Sequence, residues 1–143
     1  LKNTIEVRSA DAQGAKMACA LPALWTGIFY DAKALSAAEA LTADWTHEEV
    51  AATRKELWNK GLQTRFRATT FQTLAEKVLE IAEGGLERRG YKSSSGNDER
   101  VHLMRLKDLV SKGQTPADRL LDGIENAKDM TAEIIARTDL GAG

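Results

Sequence analysis

Along most of this chain apolar residues recur three and four positions apart, and only the first few residues keep a different rhythm. From Ala15 to Tyr30 the apolar positions are Met17, Ala20, Leu21, Leu24, Trp25, Ile28 and Phe29. That spacing predicts a helix buried over most of its circumference. Pro22 falls inside it, so the helix either starts near that residue or is kinked there. Asp31 is placed to cap a helix carrying Ala34, Leu35, Ala38 and Leu41. Thr46 with Glu49 three residues on predicts a capping box, opening a helix through Val50, Leu57 and Trp58 that stops at Gly61. Leu62 to Thr70 reads as a connector.

The clearest amphipathic pattern is Phe71, Leu74, Val78, Ile81, Ala82 and Leu86, with Thr69 or Thr70 as its cap. Residues 92–98 hold three serines and a glycine and read as a mobile loop, with Asn97 or Asp98 capping the next helix. That helix carries Val101, Met104, Leu106, Leu109 and Val110 and stops at Gly113. Thr115-Pro116 then starts another, with Leu120, Leu121 and Ile124 on its buried side, and Thr131 to Ile135 extend the helical pattern.

The exception is Thr4-Ile5-Glu6-Val7-Arg8, where apolar residues alternate with charges at the period of a half-buried strand. On a strand Glu6 and Arg8 share a face, an oxygen ligand beside a fixed fork of donors. That pairing suits a site holding a metal and a phosphate side by side, although spacing alone favours an exposed ion pair on an edge strand. The fold class expected is therefore mainly α: one N-terminal strand, in a segment 1–14, followed by a helical bundle over 15–143. A lone strand has no stable existence in water, so the chain reads as the C-terminal piece of a larger α+β protein whose sheet lies elsewhere.

Composition narrows the functional classes. Of 143 residues, 20 are basic and 21 acidic. That balance gives no field to recruit nucleic acid or an anionic membrane, and no apolar run is long enough to span one. One cysteine, Cys19, excludes an intrachain disulfide and points to a reducing, cytoplasmic setting. Two separated histidines, His47 and His102, argue against a zinc site. Trp25, Phe29 and Tyr30 at helical spacing are expected in the core, Cys19 as a buried inert thiol, and Arg65 and Arg67 in a solvated connector. Arg88 and Arg89 complement the dipole at a helix end, and His102 is expected at or near the surface.

Several runs occur in a recognisable order: Glu6-Val7-Arg8-Ser9-Ala10-Asp11, Cys19 to Trp25, Gly27-Ile28-Phe29-Tyr30-Asp31, Phe66-Arg67, Leu86-Glu87-Arg88-Arg89-Gly90-Tyr91, and Gly113 to Leu121. Together they resemble the C-terminal region of glutamate–cysteine ligases of the plant and proteobacterial type. The resemblance implies a glutamine-synthetase-like parent enzyme in which ATP and magnesium activate the glutamate side chain as an acyl phosphate. The cysteine amine then displaces phosphate. It further implies Glu6 as a magnesium ligand and Arg8 as the catalytic clamp on the transferred phosphate of ATP, with both cofactors bound mainly by an N-terminal region. Glutamate, cysteine and ATP would be the partners, and this chain by itself would be inactive.

Two departures bear on specificity. Ala12 to Met17 replace a family run containing two arginines, leaving only Lys16 as a cation there, and Asn126 to Asp129 stand where a tryptophan-containing tail is expected. A carboxylate–amine ligase with another amine substrate, or a helical interaction module without chemistry, are the alternative readings.

Overall fold

The computed structural model describes residues 6, 7, 10 and 14–138. Its helices are α1 (Ala15–Ala18), α2 (Ala20–Phe29), α3 (Ala32–Thr42), α4 (His47–Lys60), α5 (Phe71–Arg89), α6 (Met104–Ser111), α7 (Pro116–Leu121) and α8 (Met130–Thr138). Short 3-10 turns run over Gly61–Gln63, Glu99–Leu103 and Ile124–Asn126. The mainly-α expectation holds. Thr4, Ile5 and Arg8 lie outside the described residues, and Glu6 and Val7 are irregular backbone.

The core forms around α5, whose Leu74, Leu79, Ala82, Gly85 and Leu86 are buried. Against it pack Ala23 and Ile28 of α2, Leu103, and Val110 of α6. Burial of each large aliphatic side chain contributes about 1.5–3 kcal/mol. The crossing of α2 over α5 is closer than side chains allow. A Cβ on Gly27 would sit 2.3 Å from the Ala82 carbonyl oxygen, and one on Gly85 only 1.8 Å from that of Gly27. Glycine is required at both positions because backbone lies against backbone.

Caps explain most of the element boundaries. Pro22 is the third residue of α2, where its missing N–H has no intrahelical acceptor to lose. The Asp31 carboxylate accepts from the Ala34 N–H at 2.8 Å, and Thr70 caps α5 through the Thr73 N–H. Thr46 and Glu49 form the expected box, with Thr46 N–H donating to Glu49 at 3.0 Å and Glu49 N–H to Thr46 Oγ1 at 3.2 Å. Thr115 and Asp118 form a second one around Pro116. Residues 92–98 make a loop closed by Ser93 N–H on the Asn97 carbonyl at 2.7 Å.

The stretch Leu62–Thr70, expected as a plain connector, contains a small antiparallel hairpin. β1 (Arg65–Phe66) pairs with β2 (Thr69–Thr70) in the register Arg65↔Thr70 and Phe66↔Thr69. Its two-residue turn puts Arg67 at φ +54°, a conformation ordinarily given to glycine or asparagine. Phe66 is buried there, edge-on to Trp45 at 4.8 Å and 5.9 Å from Phe71.

Candidate functional site

Of the two residues expected to carry chemistry, Glu6 is exposed and Arg8 lies outside the described residues, so their pairing has no described geometry. Among the described residues no three His, Cys, Asp or Glu side chains converge to hold a metal ion. The described residues do not by themselves make a magnesium site. No helix among them is long and apolar enough to cross a membrane.

One polar construction joins the end of α2 to the end of α5. Arg88 Nε donates to both Asp31 oxygens, at 3.1 and 3.0 Å, and its Nη2 reaches Oδ1 at 2.7 Å. Asp31 therefore caps α3 and anchors α5 at once. The Arg88 hydrogen bonds, helped by the Ala34 N–H, hold the Asp31 carboxyl down to about 2. The neighbouring Arg89 guanidinium lies between two tyrosine rings, 5.4 Å from Tyr30 and 4.9 Å from Tyr91. It also donates to Glu99 at 3.3 Å. Next to Tyr91 and Glu99 opens a cavity of about 430 Å³, bordered by Ser93, Asn97, Val101 and His102.

A second polar construction fastens the hairpin to α4. Arg67 Nε and Nη2 donate to Glu49 at 2.9 and 2.7 Å, and Nη1 reaches Asp44 at 2.6 Å. Arg67 and the Thr46 N–H hold the Glu49 carboxyl down to about 2. A second cavity, of about 450 Å³, lies between α5 and α6 along Glu76, Glu80 and Glu83, with Lys107 paired to Glu83 at 2.7 Å.

Several residues stand elsewhere than the periodicity implied. Tyr30, expected in the core, is 73% exposed because it lies past the last turn of α2, where the Arg89 guanidinium stands over its ring but the side chain stays open to solvent. Phe29 stacks on Trp25 at 5.1 Å but is itself at the surface, while Trp25 packs against the core. Cys19, expected buried, is an exposed free thiol at the turn between α1 and α2. Arg67 is no idle connector residue. His102 is exposed, as expected. The Tyr30–Arg89–Tyr91 stack escaped the sequence reading, and its only local signal was the tyrosine just beyond each helix end.

Comparison with known proteins gives this construction a family. The model of the family described as Glutamate-cysteine ligase family 2 (GCS2) matches residues 1–138. The chain is 43% identical over 122 residues to the chloroplastic glutamate–cysteine ligase of Medicago truncatula, covering 85% of this chain and 23% of that protein. It is 42% identical to the Arabidopsis thaliana enzyme over the same length, 22% of that protein. To ligase A of Oryza sativa subsp. indica it is 41% identical, over 24% of that protein. The chain thus spans about a quarter of the length of the curated relatives it matches.

Proposed function

The chain belongs to glutamate–cysteine ligase family 2, and from that premise we propose that it is the C-terminal portion of an ATP-dependent glutamate–cysteine ligase. The observation that carries this reading is the unbroken family match over residues 1–138. In this reading the helical block buttresses a catalytic sheet made by the rest of the polypeptide, and the segment holding Glu6 and Arg8 supplies that sheet with one strand.

The chemistry proposed is two-step acyl transfer. A glutamate side-chain carboxylate oxygen attacks the terminal phosphorus of ATP, ADP leaves, and a mixed acyl phosphate forms. The cysteine amine then attacks the acyl carbon, phosphate departs with the bond electrons, and γ-glutamylcysteine, a precursor of glutathione, is released after loss of a proton. Arg8 is assigned to the transferred phosphate, where a planar, permanently charged fork matches two phosphoryl oxygens. Glu6 is assigned as one oxygen ligand of magnesium, whose remaining ligands would come from residues beyond those described. When bound, the metal would offset phosphoryl charge. The compartment proposed is the cytoplasm, in keeping with a single free thiol at Cys19.

The test uses the full-length ligase with ATP, magnesium, glutamate and cysteine, and reads phosphate release. Arg8→Ala is expected to lower kcat by about 100-fold or more at unchanged melting temperature, as for loss of a donor to developing charge. Wild-type turnover that ignores cysteine but responds to another amine would keep the acyl phosphate and move the substrate. No amine- and glutamate-dependent turnover at all would sink the reading.

A further inference from the structure

Away from the joined ends of α2 and α5, two surfaces carry matching chemistry. On α4 the half-buried Thr53 and Leu57 lie on one side. The opposite stripe is Ala51, Arg54, Lys55 and Trp58, exposed residues three and four apart. Trp58 is 85% exposed. Among the described residues neither the Arg54 nor the Lys55 side chain has a hydrogen-bond or ion-pair partner. The helix packs on the Gly61–Gln63 turn and on β1, which leaves this stripe outward.

The second surface is the groove of about 450 Å³ between α5 and α6. Leu79 and Val110, both buried, lie at its base, and Glu76, Glu80 and Glu83 run along its α5 wall at helical spacing. Its one lining cation, Lys107, is paired with Glu83, and Asp108 is paired with Lys112 and Arg119. Lys77 is on α5 but not in the lining. Glu76 and Glu80 have no side-chain partner among the described residues, so the groove keeps two uncompensated carboxylates above an apolar base.

The stripe offers two free cations around an indole, and the groove two free carboxylates around an apolar base. Tryptophan is among the residue types that dominate binding energy at interfaces, and opposite charges around it set orientation and association rate. A second copy of this chain supplies what each surface lacks. Made once, the contact joins unlike faces; a two-fold axis makes it twice and closes the pair. We propose that Trp58 of one copy seats in the α5–α6 groove of a second copy, with Arg54 and Lys55 facing Glu76 and Glu80, in a reciprocal dimer. The inference goes beyond the ligase reading and stands without it.

The experiment is sedimentation velocity of the full-length protein over a rising concentration series, at low and high salt, with turnover assayed on the same samples. The expected result is a monomer–dimer equilibrium whose dissociation constant rises with salt. Trp58→Ala is expected to raise that constant about 30-fold or more, the scale of an interface hot spot. Arg54→Glu with Lys55→Glu is expected to give monomer, and so is Glu76→Lys with Glu80→Lys. Mixing the two charge-reversed variants should restore a dimer, because an acidic stripe then meets a basic groove at both contacts. That restoration also separates lost association from lost folding. A monomer at every concentration, a dimer indifferent to both reversals, or reversed variants that stay apart when mixed would each overturn the proposal. Loss of turnover with association intact would count against the ligase reading alone.

Discussion

Where α2 crosses α5, Gly27 and Gly85 bring backbone against backbone, and the surrounding side chains are buried aliphatics. Where α4 meets the hairpin, no side chain of the fourteen-residue helix is buried, Trp58 stands 85% exposed, and the join is made by one guanidinium on two carboxylates. The first region is stabilised by apolar burial and shape, neither of which responds to salt or protons as charge does. The second depends on exposed ion pairs and a capping box, which respond to both. One small molecule therefore holds two regions with different sensitivities.

The largest effect should come from filling the crossing. Gly85→Val puts branched carbon where the Gly27 carbonyl oxygen already sits, and a cost of about 3 kcal/mol or more is expected from overpacking that cannot relax. Chemical denaturation followed by circular dichroism reads it. A loss under about 1 kcal/mol would mean the helices can slide apart, and the contrast with the α4 region would collapse.

A smaller and local effect is expected at the clamp. Arg67→Ala removes the donors that satisfy Glu49 and Asp44, and should lower amide protection along α4 while leaving α5 unchanged. Hydrogen exchange at low and high salt checks this, with the wild type expected to approach the variant as salt rises. Equal loss in α5 would show that the two regions unfold as one.

The subtlest effect is on acid stability. Folded Glu49 and Asp31 titrate near 2, below their ordinary values of 4.5 and 3.8, so between those limits the unfolded chain binds more protons. Their contribution is complete above about pH 4.5 and is lost as pH falls towards 2. Protection in α4, through Glu49, and at the start of α3 and the end of α5, through Asp31, is expected to fall in that window before protection of the buried glycine crossing. A flat profile across it would detach the clamp from Glu49.

What the sequence made legible was what is local in the chain. Asp31, Thr46 with Glu49, Thr70, and Thr115 before Pro116 each announce a helix start within a single turn, and each caps one. The hairpin stayed hidden because its positive-φ position carries Arg67 rather than glycine, so no turn signal marks it. Arg67 with Asp44, 23 positions apart, and Arg88 with Asp31, 57 apart, have no signature at any fixed spacing. Tyr30 and Cys19 were misjudged for a common reason: helical spacing identifies a face, but exposure at a helix end depends on what lies beyond it. For the candidate site, motif order along the chain identified the family, while the geometry of Arg8 falls outside the described residues.

The two glycines of the crossing are far apart in the chain, so their contact closes a loop that contains α3, α4 and the hairpin. Closure entropy grows only logarithmically with loop length, by about 0.6 kcal/mol per doubling. A change of length between Glu49 and Gly61 therefore adds little closure cost to the glycine crossing. The exposed helix α4 is thus a tether whose length is set loosely, whereas any side chain at position 27 or 85 meets backbone head-on.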